Sequence, residues 1–150
     1  MRLANKTALI TGGASGLGAA AVDRFIAEGC VVCICDIQDE TGEAYAATFG
    51  EKAFYKHCNV TVEEEVSSAI DAAVERFGRL DIVFHSAGIV GAVGPIATTP
   101  GDEWRFSIDV LLNGTFYALK HAARVMAPQG SGSIVSMAST AGLMGGLGPH

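Results

Sequence analysis

The 150 residues are 49% hydrophobic and 17% charged, a composition typical of one globular domain with a single core. The formal net charge is −6 and the ten Lys and Arg residues are scattered, so no basic face is available for nucleic acid. No apolar segment approaches the ~20 residues that a membrane helix needs, and no signal peptide precedes the first strand, so we expect a soluble, cytoplasmic protein.

Short apolar runs alternate with segments of helical period along the chain. Strands are predicted at Lys6–Thr11, Val31–Cys35, Ala53–His57, Asp81–His85 and Ser133–Met137. Helices are predicted at Leu17–Glu28, Asp39–Phe49, Val62–Phe77 and Glu103–Met126. Thr61 and Glu64 have the spacing of a capping box at the start of the third helix.

The alternation of apolar strands with helices indicates a parallel sheet that is covered by helices on both faces. Right-handed crossovers then predict a doubly wound, Rossmann-like α/β fold with three layers and strand order 3-2-1-4-5. We expect residues 1–150 to form one such domain, truncated after the fifth strand, which is left as a bare edge. Ligands of these sheets bind at the carboxyl ends of the strands.

Four cysteines raise the question of metal or redox chemistry. Cys30 and Cys33 have the spacing of half a zinc knuckle, but no second pair follows them. In a strand, Cys33 and Cys35 share one face and Cys30 lies on the other. We therefore expect these three residues and Cys58 to be reduced core residues, and we predict no metal site.

The strongest motif is the glycine-rich loop from Thr11 to Gly18, which follows the first strand and opens the first helix. Its glycines permit a tight turn and let a diphosphate approach backbone N–H groups at a helix N-terminus. A flexible strand-to-helix turn is the alternative. Asp36 favours the functional interpretation, since an acid at the end of the second strand accepts hydrogen bonds from the adenosine ribose and repels a 2′-phosphate. Its neighbours Cys35 and Ile37 carry no cation, so NAD is predicted over NADP.

The spacing T-G-x-x-x-G-x-G resembles the cofactor loop of the short-chain dehydrogenases/reductases. Asn59-Val60 corresponds to the family's Asp-Val pair at the adenine, and His85-Ser86-Ala87-Gly88 to its Asn-Asn-Ala-Gly motif. The resemblance covers the whole chain but only about the first half of the family's length. The segment from Lys120 to Met126 is most similar to plant alcohol dehydrogenases of the secoisolariciresinol dehydrogenase type.

This resemblance implies hydride transfer between the nicotinamide of NAD and a secondary alcohol or ketone. In the family, a tyrosine is the general acid/base, a lysine four residues later lowers its pKa, a serine orients the substrate oxygen and a helix asparagine positions a water. Ser139 corresponds to the serine and is the implied catalytic residue. The implied cofactor-binding residues are Gly12, Ser15, Gly16, Leu17, Gly18, Asp36, Ile37, Asn59, Val60, Ser86, Ala87 and Gly88.

Several positions depart from the family pattern. Leu111 occupies the place of the asparagine, and Asn113 lies on another side of the helix. Leu111 is expected to pack in an apolar stripe with Trp104, Ile108, Thr115 and Leu119. His85 replaces an asparagine of the cofactor loop. It is either a buried, satisfied histidine or a partial substitute for that asparagine, and we expect the former.

The tyrosine and lysine of the family do not occur in the chain. The tyrosine is expected about a dozen residues after Ser139, beyond His150, and the 150 residues contain no Tyr-x-x-x-Lys. Two functions therefore remain open: an NAD-dependent oxidoreductase, or a truncated or degraded protein that binds NAD without catalysis. The family forms homo-oligomers through its fourth and fifth helices, and only the fourth is present, so assembly of this chain also remains open.

Overall fold

A computed structural model of the protein describes residues 1–144. Five parallel strands form one sheet of order β3-β2-β1-β4-β5. The strands are β1 Thr7–Thr11, β2 Val31–Asp36, β3 Ala53–His57, β4 Ile82–His85 and β5 Ser133–Ser136. The helices are α1 Gly16–Ala27, α2 Asp39–Ala47, α3 Glu63–Phe77, α4 Gly101–Ile108 and α5 Gly114–Gln129. The predicted fold class and strand order are confirmed.

Alternate residues of the strands supply two apolar cores on opposite faces of the sheet. Leu9 and Val83 belong to the core that α3 and α5 cover. Ile10 and Ile34 belong to the core that α1 and α2 cover. The edge strand β5 is largely exposed, as predicted. Within residues 1–144 no helix is both long and apolar enough to cross a membrane.

All four cysteines are buried free thiols, as predicted. Cys33 and Cys35 lie in the core beneath α3 and α5, and Cys30 lies in the opposite core. Burial raises the pKa of Cys30 to about 12, so this thiol stays protonated at neutral pH. In the part of the chain that the structure describes, no group of three His, Cys, Asp or Glu residues could hold a metal ion.

The helix predicted over Glu103–Met126 is two α-helices joined by a π-helical segment, Asp109–Asn113. The Gly114 N–H donates to the Asp109 carbonyl, five residues earlier, which widens this turn. Gly114 also brings the helix close to Val60, because a Cβ built on it would lie 3.0 Å from a Val60 methyl group. The wide turn therefore lies where the helix approaches the segment after β3.

The predicted capping box at the start of α3 is wrong. Val62 is the N-cap residue, and its side chain makes no capping hydrogen bond. Instead, Asn59 Oδ1 accepts hydrogen bonds from the Thr61 N–H at 3.0 Å and from the Thr61 hydroxyl at 2.9 Å. Glu65 accepts from the Asn59 N–H at 2.7 Å. This bonding fixes the segment between β3 and α3 and the orientation of the Asn59 side chain.

Asp81 joins the amino ends of β1 and β4, opposite the cleft described below. Its carboxylate accepts from the Thr7 N–H at 3.0 Å and from Arg79 at 2.6 and 2.8 Å, and Lys6 lies 3.3 Å away. Burial alone would raise the pKa of Asp81, but these donors hold it below its usual range. The charge of Asp81 therefore stabilises this end of the sheet.

Candidate functional site

A cleft of about 580 Å³ opens at the carboxyl ends of the strands. All twelve residues predicted to bind a cofactor line it: Gly12, Ser15, Gly16, Leu17, Gly18, Asp36, Ile37, Asn59, Val60, Ser86, Ala87 and Gly88. Ser139 follows the lining residue Ala138 and does not itself line the cleft. The fold thus brings four separate sequence segments to one site.

Seven lining residues were not predicted: Gln38, Cys58, Ile89, Phe106, Val110, Met137 and Ala138. Most of them follow a strand closely in sequence, so the rule that ligands bind at the carboxyl ends of strands could have found them. Phe106 and Val110 reach the cleft from the α4 and π-helical region. Their contribution depends on how that region packs on the sheet, which the sequence pattern does not specify.

Two glycines shape the loop between β1 and α1. Gly12 has φ +64° and lies against the Ala87 backbone, so that a Cβ would come within 2.9 Å of Ala87 N and Cα. At Gly18 a Cβ would overlap the carbonyl oxygen of Gly12. The loop can fold this closely only because both side chains are absent.

The N-terminus of α1 faces the cleft, and no side chain of the helix neutralises the positive end of its dipole. Ser15 is its N-cap residue, but the Ser15 side chain makes no capping hydrogen bond, and the first turn contains no acidic residue. The first N–H groups of a helix have no partners within the helix, and its dipole favours an anion there. Ser15 and the N–H groups of Gly16, Leu17 and Gly18 can therefore receive a phosphate group.

Asp36 ends β2 and is 6% exposed at the edge of the cleft. Its Oδ2 accepts from the Ala14 N–H at 3.0 Å, and its Oδ1 accepts from the N–H groups of Ile37 at 2.8 Å and Gln38 at 3.2 Å. These bonds fix the carboxylate between the glycine-rich loop and the start of α2. A carboxylate held this way can accept further hydrogen bonds from hydroxyl groups of a ligand.

The side-chain oxygen of Asn59 is already engaged within the protein. Its Oδ1 accepts two hydrogen bonds from Thr61. The side-chain amide nitrogen remains, and it offers two donors. Recognition of an aromatic base by Asn59 would then use base nitrogens as acceptors.

His85 is buried, as predicted, at 2% exposure. Its Nδ1 lies 2.9 Å from the Thr11 hydroxyl. Its Nε2 has no hydrogen-bond partner among the described residues, so only one of the two ring nitrogens is satisfied. Burial lowers the pKa of His85, which keeps the ring neutral.

Ser139 is exposed at the N-terminal end of a short 3₁₀ turn, Thr140–Gly142. Its Oγ accepts a hydrogen bond from the Ala141 N–H at 3.1 Å, which leaves the hydroxyl proton available to another acceptor. Ser139 follows β5 at the same edge of the sheet as the cleft.

The predicted packing of Leu111 is wrong. Trp104, Leu111 and Leu119 are 54, 44 and 40% exposed, so the apolar stripe faces outward. The Leu111 side chain lies near Gly88 and Gly91 in the loop after β4. Asn113 does not replace the family's asparagine, because its amide donates to Asp109 Oδ1 at 2.8 Å.

The cleft contains groups that suit the chemical parts of a dinucleotide. A helix N-terminus suits a diphosphate, the Asp36 carboxylate suits ribose hydroxyls, and an apolar region with one amide suits a heterocyclic base. The absence of side chains at Gly12 and Gly18 lets the loop lie directly against Ala87 and the first turn of α1. The residues present therefore fit a nicotinamide dinucleotide.

Comparisons with known proteins identify the family to which this fold belongs. The family model for short chain dehydrogenase matches residues 6–149. Zerumbone synthase of Zingiber zerumbet is 44% identical over 100% of this chain and 57% of its own length, and xanthoxin dehydrogenase of Arabidopsis thaliana is 45% identical over 99% and 54%. NAD+-bound xylitol dehydrogenase superposes with a TM-score of 0.92 at 33% identity, covering 99% of this chain and 58% of that structure. The chain spans about half the length of the curated relatives it matches, and it belongs to the short-chain dehydrogenase family.

Proposed function

We propose that this chain binds NAD in the cleft as the cofactor-binding part of an oxidoreductase. The reaction proposed for the whole protein is hydride transfer between the nicotinamide and a secondary alcohol or ketone. The observation that carries the proposal is the Asp36 carboxylate, held by the Ala14, Ile37 and Gln38 N–H groups beside the glycine-rich loop. A carboxylate fixed there accepts hydrogen bonds from the ribose hydroxyls. Its negative charge repels a 2′-phosphate, which favours NAD over NADP.

Each part of the cleft has a proposed role. Ser15 and the N–H groups of Gly16, Leu17 and Gly18 bind the diphosphate. Ile37, Asn59 and Val60 contact the adenosine. Ser86, Ala87 and Gly88 line the continuation of the cleft toward the nicotinamide. NAD supplies the hydride-accepting ring when it is bound.

Ser139 is proposed to orient the substrate oxygen. Its hydroxyl already accepts the Ala141 N–H, so its proton is free to donate to a carbonyl or alkoxide oxygen. A general acid/base is still needed, and the 150 residues contain neither Tyr-x-x-x-Lys nor an asparagine at Leu111. We therefore propose that the 150-residue chain binds NAD without turnover. NADH production from NAD and a panel of secondary alcohols, above that of buffer, would contradict this.

The substrate of the whole protein is proposed to be an uncharged, apolar alcohol or ketone. The loop from Ile89 to Pro100 contains no charged residue, and it exposes Val90 and Ile96 beside the cleft. Among the relatives, xanthoxin dehydrogenase and (+)-borneol dehydrogenase 2 of Salvia officinalis are named for single small molecules. An apolar wall of this kind binds such a molecule by removing its surface from water.

Self-association and a cytoplasmic location are part of the same proposal. Leu112 in the π-helical segment and Phe116 in α5 are 61 and 58% exposed. Trp104 in α4 is a further exposed apolar side chain. An exposed apolar face of this kind is typical of an interface between subunits. The four free thiols are consistent with a reducing compartment.

Calorimetric titration tests the proposed cofactor. Wild-type chain should bind NAD, and NADP should bind at least about tenfold more weakly, since its extra phosphate meets the Asp36 charge. Asp36→Asn should weaken NAD binding about tenfold and reduce the preference against NADP. Asp102→Asn, on the exposed first turn of α4, is the matched control and should change neither affinity. Equal affinity for NAD and NADP in the wild-type chain would contradict the proposal.

A further inference from the structure

Thr11 and His85 form a buried pair at the carboxyl ends of β1 and β4. They are register partners in the parallel ladder, and their exposures are 1 and 2%. Neither residue lines the cleft, but Ser86 and Ala87, which follow His85 directly, do. A bond between Thr11 and His85 can therefore act on the cleft only through its neighbours.

The hydrogen bonds of the Thr11 hydroxyl determine where its proton points. The oxygen accepts the Ser86 N–H and the Ala87 N–H, each at 3.2 Å. A threonine hydroxyl has two acceptor sites and one donor, so both acceptor sites are in use. The proton is left for His85 Nδ1, 2.9 Å away. His85 Nδ1 is therefore the acceptor, and the neutral ring carries its own proton on Nε2.

We propose that His85 is a positioning residue of the cleft: by accepting the Thr11 proton at Nδ1, it directs the Thr11 lone pairs at the Ser86 and Ala87 N–H groups. This inference rests on the proposed function, because the ligand of the positioned segment is NAD. The opposite tautomer would bring the Nδ1–H against Thr11, whose hydroxyl proton would then lose its acceptor. That tautomer leaves two buried donors without acceptors, the Nδ1–H and the Thr11 hydroxyl, whereas the Nε2–H tautomer leaves one, the Nε2–H, which has no partner among the described residues. A buried donor without an acceptor is costly, so the Nε2–H tautomer is the more stable one.

The positioned segment contacts two other parts of the cleft. Ala87 lies so close to Gly12 that a Cβ on Gly12 would come within 2.9 Å of Ala87 N and Cα. On the other side, the His85 carbonyl accepts the Met137 N–H at 2.9 Å, and Met137 also lines the cleft. A shift of residues 85–87 would therefore displace both the glycine-rich loop and the segment after β5.

The chemistry of position 85 predicts which side chains can replace His85. An asparagine carries a carbonyl oxygen that can accept the Thr11 proton, whereas a leucine has no acceptor. At position 11, serine keeps the hydroxyl and valine keeps the shape without it. Thr7 offers a matched control, because it is a buried threonine on the same face of β1 at the opposite end of the strand.

The experiment uses the 150-residue chain and two kinds of measurement. Without NAD, ¹⁵N NMR of the imidazole reports the tautomer of His85, and amide hydrogen exchange reports the protection of Ser86 and Ala87. We expect the Nε2–H tautomer and protected amides in the wild-type chain. His85→Leu and Thr11→Val should speed exchange at the Ala87 amide and raise the Kd for NAD about fivefold or more. The Ser86 amide should change less, because its N–H also donates to the Thr11 carbonyl at 3.3 Å. His85→Asn, Thr11→Ser and Thr7→Val should stay within about twofold of wild type.

Three results would overturn the positioning role. They are an Nδ1–H tautomer or a charged ring in the wild-type chain, an Ala87 amide that stays protected in His85→Leu, and a Thr7→Val effect on the Kd equal to that of Thr11→Val. The tautomer and the amide protection of the wild-type chain are measured without ligand, so they do not depend on the stability of any variant. A wild-type chain with the expected tautomer but no affinity for NAD would overturn the proposed function and would support the hydrogen-bond assignment.

Discussion

Gly18 lies where the first turn of α1 passes the Gly12 carbonyl, and a methyl group there would overlap that oxygen. We expect Gly18→Ala to push the loop away from α1 and to raise the Kd for NAD at least about tenfold. Gly142→Ala is the control, since a Cβ at Gly142 meets nothing within 4 Å. Titration calorimetry of both variants checks this, and wild-type affinity in Gly18→Ala would show that the loop is not held by this contact.

His85 should also make the stability of the fold depend on pH. Burial lowers its pKa below the ordinary value of 6.5, so the unfolded chain binds the proton more readily than the folded chain. The contribution of the neutral ring to the free energy of unfolding is complete above about pH 6.5, and it is lost as the pH falls through the pKa of the folded state. Urea unfolding can be measured at about pH 7.5 and about pH 5.5, on either side of the ordinary pKa of 6.5. Between these two pH values, the free energy of unfolding should decrease less for His85→Asn than for wild type. An equal decrease would mean that His85 does not contribute.

Among the elements, β1 and β4 are tied together at their amino ends by Asp81. The buried carboxylate accepts from Arg79 and from the Thr7 N–H, so removing its charge leaves these donors less well satisfied. Asp81→Asn should lower the free energy of unfolding by about 1–3 kcal/mol at neutral pH. Because its folded pKa lies below the usual 3.8, the wild-type advantage should be present above about pH 4 and shrink as the pH falls through the folded pKa. Glu75→Gln, an exposed carboxylate on α3, is the control for urea denaturation. A variant as stable as wild type would contradict the role.

The elements that the sequence predicts best are those with strong apolar patterns. Each observed strand agrees with its predicted range to within one residue at either end, because the strands are short apolar runs that contrast with the helical period of the segments between them. The π-helical segment could not be predicted, since it lies where Gly114 meets Val60, a contact between distant parts of the chain. The capping box failed because the Thr61 hydroxyl donates to Asn59 Oδ1 and Val62, not Thr61, is the N-cap residue of α3.

At the scale of the whole molecule, motif spacing and sheet topology together located the cleft. The twelve predicted lining residues come from short segments that follow β1, β2, β3 and β4, and parallel strands bring such segments to one edge. The orientation of Asn59 and the outward exposure of Leu111 depend on tertiary contacts. The pattern of residue types alone therefore could not give them.

The outward face of the helices leads to a prediction about assembly. Leu112 and Phe116 are exposed apolar side chains, and we expect them to bury against a second copy of the chain. In sedimentation velocity experiments the wild-type chain should form oligomers, and the double variant Leu112→Glu with Phe116→Glu should shift it to monomers. Ile37→Glu, at an exposed residue that lines the cleft and lies away from α4 and α5 in sequence, should leave the oligomers intact. A monomeric wild-type chain at the highest concentration tested would contradict this assignment.

The central claim is that the cleft binds NAD through the glycine-rich loop and Asp36. Amide chemical-shift mapping of the ¹⁵N-labelled 150-residue chain during an NAD titration tests it most directly. We predict saturable shifts concentrated at Gly12–Gly18, Asp36–Gln38, Asn59–Val60 and Ser86–Gly88, the segments that line the cleft. Shifts that are absent at millimolar NAD, or that fall on the outer face of α4 and α5 instead, would contradict the account.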